Sequence, residues 1–257
     1  MSTPMNKLLA AAAVAALIGV AAPAGASEAP EVPAQDWSFS GMFGTFDRGA
    51  LRRGLQVYRE VCISCHSLDM VAFRNLAAIG LGPDEIQAIA EQYEVQDGPN
   101  DEGDMFMRPA KASDYFVPPF PNEQAARAAN NGALPPDFSL IVKARKGGPD
   151  YIYGVLTGYE EEPPAGVELM EGMYYNKVFP GHQIAMPPPL ADDSVEYADG
   201  TEATLDQEAH DVVTFLTWAA QPELEERKRM GVKVMLFLIV LTAMLFAVKR
   251  KIWSDVH

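Results

Sequence analysis

The pentapeptide Cys62-Ile63-Ser64-Cys65-His66 constrains this chain more than any other feature of its sequence. Two cysteines separated by two residues and followed directly by histidine form the attachment pattern of a c-type haem. In such a site the thiols of Cys62 and Cys65 add to the vinyl groups of the porphyrin as thioethers, and His66 is the proximal ligand of the iron. These are the only 2 cysteines in 257 residues, so no disulfide is expected beside the thioethers. A thioredoxin-like redox pair is the alternative, but the sequence around it lacks the βαβ pattern of that fold. We therefore predict one covalently attached haem c.

The N-terminus has the pattern of an export signal. Lys7 is the only charged side chain before Glu28, an apolar run covers residues 8–22, and Ala24-Gly25-Ala26 is a small-residue cleavage pattern. A mitochondrial transit peptide would be rich in arginine, and this segment contains none. We predict a signal peptide over residues 1–26 and export of the rest to a bacterial periplasm, the side on which c-type haem is generally attached.

A second apolar segment lies near the C-terminus. Residues 234–248 carry no charge, and extension back to Met230 adds only Lys233. Such a segment, at about 1.5 Å per residue, is roughly 28 Å long as a helix, close to the ~30 Å hydrocarbon thickness of a bilayer. Lys249-Arg250-Lys251 and Trp253 follow it, as is typical of a spanning helix at the water interface. A buried core helix is the alternative.

We predict a transmembrane anchor over residues 230–249. Basic residues flank both of its ends, so charge alone does not orient it. The export signal does, since it places residues 27–226 in the periplasm. The predicted protein therefore crosses the bacterial inner membrane once, with residues 250–257 as a cytoplasmic tail.

The exported domain is strongly acidic. Residues 27–226 contain 34 Asp and Glu against 12 Lys and Arg, a net charge of −22. This charge excludes nucleic acids and anionic lipid surfaces as partners of the domain, and it suits a basic protein partner. The solubility of an exported protein explains part of the excess. The acids cluster over residues 94–104, 160–162 and 192–208.

Periodicity predicts a mainly α fold. Apolar residues at helical spacing indicate a helix from about Asp47 to the haem motif, and Gly54 within it would allow another helix to cross closely. Thr204 and Gln207 form a capping-box pattern before an apolar helical repeat that Pro222 ends. Weaker patterns predict helices over about residues 84–92 and 123–129. Long proline-rich loops and little strand signal complete a class I cytochrome c-like haem domain with one C-terminal transmembrane helix.

The second axial ligand is a choice between Met186 and His182. Met186 lies before the prolines 187–189, which would stiffen a loop that holds a thioether on the iron. His182 would instead give bis-histidine ligation and a lower reduction potential. Spacing alone leaves both open. Met70 follows the proximal histidine too closely, and the remaining candidates occupy polar loops: Met105, Met107, Met170 and Met173.

Several further segments resemble the cytochrome c1 family, in that family's order, from about Gly44 to Trp253. They are Arg53-Gly54-Leu55-Gln56-Val57-Tyr58, Cys62-Ile63-Ser64-Cys65-His66-Ser67, Asn122-Glu123-Gln124-Ala125-Ala126-Arg127, Asn130-Asn131-Gly132-Ala133, Pro135-Pro136-Asp137, Gly147-Gly148-Pro149-Asp150-Tyr151, Leu156-Thr157-Gly158-Tyr159, Ile184-Ala185-Met186-Pro187 and Arg227-Lys228-Arg229-Met230-Gly231. The resemblance implies that His66 and Met186 are the axial ligands. It also implies a contact of Arg145 with a haem propionate and a haem pocket that includes Tyr151, Asn130 and Pro136. Without it, Arg145 would read as a surface cation and the other three as packing residues.

The resemblance also implies a function. The chain would accept one electron from a Rieske iron-sulfur protein and pass it to a soluble or tethered c-type cytochrome, in a complex with cytochrome b, where the quinol chemistry takes place. A stand-alone anchored cytochrome c that feeds a terminal oxidase is the alternative of the same class. A periplasmic dihaem peroxidase would need a second Cys-x-x-Cys-His, which the sequence lacks, and a purely structural anchor would not need a haem motif.

Overall fold

The computed structural model describes residues 32–254. The predicted signal peptide and the last residues of the predicted tail, 255–257, lie outside the described residues. Over the described range the chain is mainly helical, as predicted.

The helices and strands follow one another with long connecting loops. The helices are α1 (Arg48–Glu60), α2 (Pro83–Ala90), α3 (Glu123–Ala129), α4 (Ile141–Ala144), α5 (Gly148–Thr157), α6 (Leu205–Ala220) and α7 (Leu224–Ile252), with 3₁₀ helices at Cys62–Ser64 and Phe73–Ile79. Strands β1 (Glu94–Asp97) and β2 (Phe106–Pro109) form one antiparallel hairpin, in which Glu94 pairs with Pro109 and Asp97 with Phe106. Strands β3 (Tyr174–Tyr175) and β4 (Gln183–Ile184) form another.

Helices α1 and α6 cross closely in the middle of the core. Asp47 caps α1 by accepting hydrogen bonds from Gly49 N and Ala50 N. A Cβ atom on Gly54 would lie 2.0 Å from the Asp211 carbonyl oxygen of α6, so only glycine permits this approach. The close crossing predicted at Gly54 is thereby confirmed.

A buried ion pair ties the same two helices together. The Arg53 guanidinium donates to the Asp211 carboxylate, with Nε 2.7 Å from Oδ2, and its Nη1 lies 2.9 Å from Asp199. The Asp211 side chain has no solvent exposure, whereas Asp199 is largely exposed. Because removal of one partner of a buried pair leaves an uncompensated charge, loss of Arg53 would cost about 3–5 kcal/mol.

The segment before α1 closes the core over α5 and α6. The Trp37 indole donates to the Asp150 carboxylate of α5, at 2.6 Å from Nε1 to Oδ1. Its ring stacks on His210 of α6, with centroids 4.6 Å apart. His210 is thus a packing residue on a helix face.

Four predicted helices are confirmed, and some elements were missed. Thr204 caps α6 by accepting from Gln207 N at 3.2 Å, as the capping-box pattern predicts. The low strand signal agrees with the few strands found among the described residues, although it did not give the positions of the two short hairpins. Helices α4 and α5 were not predicted, because the run of glycines and proline at 147–149 has the composition of a loop. The structure uses Pro149 in the first turn of α5 and gives Gly147 a positive φ of 92°.

Helix α7 begins and ends outside the predicted span of residues 230–249. Its first residue, Leu224, packs into the core, while its most apolar window has no buried residues. Among residues 32–254 it is the one helix long and apolar enough to cross a membrane. The exposure of this window contradicts the alternative of a buried core helix.

Candidate haem site

The haem-attachment motif occupies a single tight turn. It begins directly after α1, and both the Cys65 and the His66 amides donate to the Cys62 carbonyl oxygen, at 3.1 and 2.9 Å. Both cysteines are free and partly exposed. The turn therefore presents two available thiols directly before a histidine, which is the arrangement that covalent haem attachment requires.

The electrostatics of Cys62 differ from those of a redox-active cysteine. Although the Cys62 residue is partly exposed, desolvation of its thiol, and then the neighbouring Cys65, raises the pKa of that thiol to about 12. Redox-active Cys-x-x-Cys pairs have a lowered pKa, because the thiolate is their reactive form. An uncharged thioether has no such cost of burial, so the site fits a haem linkage better than a thioredoxin-like pair.

The imidazole of His66 is oriented for a metal. The ring is 8% exposed, and its Nδ1 lies 2.8 Å from the Pro136 carbonyl oxygen. A carbonyl oxygen only accepts, so Nδ1 carries the proton and Nε2 keeps its lone pair for the iron. Burial lowers the pKa of His66, which favours the neutral form that binds metals. The ring also stacks on Phe138, with centroids 3.9 Å apart.

Three residues that follow Pro136 fix this loop against the haem motif, and no pattern in the sequence indicates this role. The Asp137 carboxylate accepts from the Ser67 hydroxyl at 2.7 Å and from Asp69 N at 2.9 Å. The Phe138 amide donates to the Ser67 carbonyl oxygen, and the buried Ser139 hydroxyl accepts from Met70 N at 3.0 Å. Asp137 ends the segment Pro135-Pro136-Asp137 that resembles the family, and this is the signal that could have identified it.

Met186 lies in a separate apolar cluster, together with Tyr151. The buried members of this cluster are Val155, Val178 and Ile184, and Met186, Tyr151 and Tyr159 pack against them. The Tyr159 hydroxyl donates to the Met186 carbonyl oxygen at 3.0 Å, so the backbone of the predicted ligand is itself held in place. Desolvation raises the pKa of Tyr159, which keeps it a donor at every ordinary pH.

The rival ligand, His182, closes the turn between β3 and β4. It is exposed and has a positive φ of 59°, and its amide donates to the Phe179 carbonyl oxygen. Its ring stacks on Tyr175, and Nδ1 lies 3.3 Å from the Asn176 carbonyl oxygen. The structure therefore gives the His182 side chain a role in the turn. Four other methionines are exposed: Met70, Met105, Met107 and Met170.

Two further predicted pocket residues have different surroundings. Arg145 is exposed at the end of α4 and forms no salt bridge within residues 32–254. Its charge lies close enough to Tyr151 to oppose the rise in the Tyr151 pKa that burial causes. Asn130 is half buried, but its amide donates to the Ala126 carbonyl oxygen at 2.7 Å and caps α3. Arg145 thus has no carboxylate partner among residues 32–254, although its Nη1 donates to the Ala144 carbonyl oxygen at 3.3 Å, while Asn130 has a structural contact of its own.

Comparison with known proteins gives consistent matches over most of the chain. The family model described as the Cytochrome C1 family matches residues 37–256. The chain is 49% identical over 275 residues to cytochrome c1 of Rhodospirillum rubrum, across 100% of this chain and 99% of that protein. It is 55% identical over 224 residues to the mitochondrial cytochrome b-c1 complex catalytic subunit of Candida albicans, across 87% of this chain and 78% of that protein. It is 53% identical over 247 residues to cytochrome b/c1 of Bradyrhizobium diazoefficiens, across 88% of this chain but only 36% of that longer protein.

Proposed function

Because this chain belongs to the cytochrome c1 family, we propose that it carries single electrons from a Rieske iron-sulfur protein to a c-type cytochrome, as the haem subunit of a cytochrome bc1 complex. Like the members of that family, it is an electron-transport protein with one covalently bound haem c. The observation that best supports the proposal is the haem-attachment turn, with its free thiols and the His66 ring aligned by the Pro136 carbonyl.

The proposed ligands of the iron are His66 and Met186, and the proposed thioether positions are Cys62 and Cys65. The bound haem supplies a reversible one-electron change at its iron, and the chain supplies the ligands and their orientation. The contact with Pro136 keeps His66 neutral and its Nε2 available. The Tyr159 hydroxyl holds the Met186 backbone, and a soft thioether favours ferrous iron and a high reduction potential. We assign Arg145 to contact a haem propionate and Tyr151 to lie against the haem ring. Pro136 would contribute by orienting His66, and Asn130 by capping α3.

The surface next to Met186 supports docking of a cationic acceptor. Glu160, Glu161 and Glu162 are exposed directly after Tyr159. The loop that follows is fixed to β4, because the Gln183 side chain accepts from Met170 N at 2.9 Å. An acidic surface held beside the proposed haem ligand would attract a basic cytochrome and speed its encounter.

Helix α7 anchors the protein in a membrane. On the proposed orientation, residues 27–226 lie in the periplasm, α7 crosses the bacterial inner membrane over residues 230–249, and residues 250–257 are cytoplasmic. The export pattern of residues 1–26 supports this orientation, since one spanning helix then returns the C-terminus to the cytoplasm.

Purification in mild detergent, followed by rapid mixing with quinol, tests the proposal. Cytochrome b and a Rieske protein should purify with this chain, and quinol should reduce its haem only in preparations that retain the Rieske protein. Equal reduction rates with and without the Rieske protein would contradict the proposed electron donor. Purification with a terminal oxidase instead would support the stand-alone cytochrome considered above.

A further inference from the structure

A short loop packs beside α7 at the point where this helix leaves the domain. The loop covers residues 39–45 and is bounded by two buried aromatic residues, Phe39 and Phe46, whose ring centroids are 5.1 Å apart. At its tip, Met42 and Phe43 are 67% and 80% exposed. Two adjacent large apolar side chains thus lie outside the core, next to the predicted membrane helix.

Two side chains of α7 hold this loop in place. Lys228 Nζ donates to the carbonyl oxygens of Phe39, at 2.5 Å, and Gly44, at 3.0 Å. The Glu225 carboxylate accepts from Phe46 N at 2.9 Å and pairs with Arg48 at 2.8 Å. The loop tip therefore has a fixed position relative to the helix, which is a requirement for a defined binding site.

A groove of about 410 Å³ separates the loop tip from α7. Its apolar side includes Phe43 and Val232, and its charged side includes Arg229 and Lys233. Glu225 and Lys228 also line it, but both are already bonded, Glu225 to Arg48 and Lys228 to the loop carbonyls. Arg229 and Lys233 are four residues apart on the helix, so they share one face. Neither forms a salt bridge with a carboxylate in the part of the chain that the structure describes.

We propose that this groove binds one anionic phospholipid of the leaflet that faces the haem domain. Arg229 and Lys233 would contact the phosphate, while Phe43 and Val232 would lie along the first part of the acyl chains. At the start of a spanning helix, the cationic side chains lie at the depth of the lipid phosphate and the apolar side chains at the depth of the first acyl carbons. The proposal rests on the proposed placement of α7 across the bilayer and is independent of the electron donor and acceptor.

Charge restricts an anionic lipid to this groove rather than to the rest of the domain surface. The domain of residues 27–226 has a net charge of −22, so an anionic bilayer repels most of its surface. The basic residues at 227–229 and 233 are the exception, and they lie just beyond that domain. Basic residues are also uncommon on the exported side of a spanning helix, and a lipid phosphate gives them a partner there.

The experiment uses the full-length protein with its haem, reconstituted in bilayers of phosphatidylcholine and phosphatidylglycerol. The protein is extracted in mild detergent, and native mass spectrometry counts the phosphatidylglycerol retained per haem. The double variant Arg229→Gln, Lys233→Gln should weaken retention about 30-fold, since each basic residue near an anionic lipid contributes about 1 kcal/mol. Phe43→Ser should also lower retention. Haem staining and the Soret spectrum confirm that each variant is folded.

Arg227→Gln is the matched control. It removes the same charge from the same helix, but Arg227 Nη2 donates to Gln221 and does not line the groove. Retention should fall clearly less in this control than in Arg229→Gln, because Arg227 lies outside the groove and its guanidinium is bonded to Gln221. Equal losses from Arg227→Gln and Arg229→Gln, or equal retention of phosphatidylcholine and phosphatidylglycerol, would overturn the site. A double variant that keeps its lipid but loses cytochrome b would show instead that the groove is a protein interface. Quinol-driven haem reduction, measured on the same preparations, separates these outcomes from a failure of the proposed electron transfer.

Discussion

The α1–α6 crossing provides the sharpest test of the packing argument, through Gly54→Ala. The added Cβ would lie 2.0 Å from the Asp211 carbonyl oxygen and 2.8 Å from Phe215 Cβ, so the two helices must separate by roughly 1 Å. That movement also stretches the Arg53–Asp211 pair, whose Asp211 carboxylate is buried. Overpacking costs about 1–3 kcal/mol and a weakened buried pair adds to it, while the better helix propensity of alanine returns about 1 kcal/mol. We expect a net loss of about 2–4 kcal/mol in the free energy of unfolding.

Thermal unfolding of the full-length protein in detergent, followed by far-UV circular dichroism and the Soret band, measures this loss. The midpoint should fall by roughly 10 °C for a domain of this size. Gly231→Ala is the control, because a Cβ at Gly231 in α7 meets no atom within 4 Å. Covalent haem should remain in both variants, since the attachment turn is untouched. A Gly54→Ala protein that unfolds within about 0.5 kcal/mol of the unmodified protein would refute the close-crossing argument.

Four further predictions concern the haem site and the acidic surface beside it. Replacement of both Cys62 and Cys65 by alanine should abolish haem staining after denaturing electrophoresis, and surviving stain would refute the attachment site. Met186→Leu should lower the reduction potential by on the order of hundreds of millivolts in a redox titration. His182→Gln should leave the low-spin spectrum intact. The reverse result would exchange the two ligand assignments. Tyr159→Phe removes one hydrogen bond, of about 1 kcal/mol, so it should lower the reduction potential by up to about 40 mV. It should also weaken the absorption band of methionine-bound ferric haem. An unchanged band would show that the hydrogen bond does not position Met186. Reduction of a basic cytochrome c should slow as the salt concentration rises, because salt screens the acidic surface and the Debye length is about 8 Å near 0.15 M. Stopped-flow rates independent of salt would exclude docking by charge.

Local signals in the sequence predicted the parts of the fold that depend on neighbouring residues. The Asp47 cap, the Thr204 cap and the helical repeats of α1 and α6 are all contained within one or two turns. Gly54 predicted a tertiary contact because a glycine inside a helix costs about 1 kcal/mol and so indicates a close approach. Helix α5 escaped prediction because its first residues have loop-like composition and its stability comes from packing against α6.

The candidate haem site shows the same difference between local and long-range signals. The attachment motif was readable because its residues are contiguous, so Cys62, Cys65 and His66 could be predicted together. The partner of the His66 ring was not predicted by spacing, since Pro136 lies 70 residues away. The contact of Tyr159 with Met186 spans 27 residues and involves a backbone carbonyl, which has no sequence signature. The resemblance to a family named Pro136 as a pocket residue, but the hydrogen bond that explains its position became visible only in the structure.

The distance along the chain between His66 and Pro136 has a consequence for how the protein matures. On the proposed orientation, export delivers the chain to the periplasm from its N-terminus, so both thiols emerge well before the carbonyl that aligns the imidazole, and before Met186. On this order, attachment of haem would precede folding of the domain. The later loops would then close around a porphyrin already held at Cys62 and Cys65. On the same order the membrane helix could come last, because the attachment motif would already be exported when α7 stopped the chain in the bilayer.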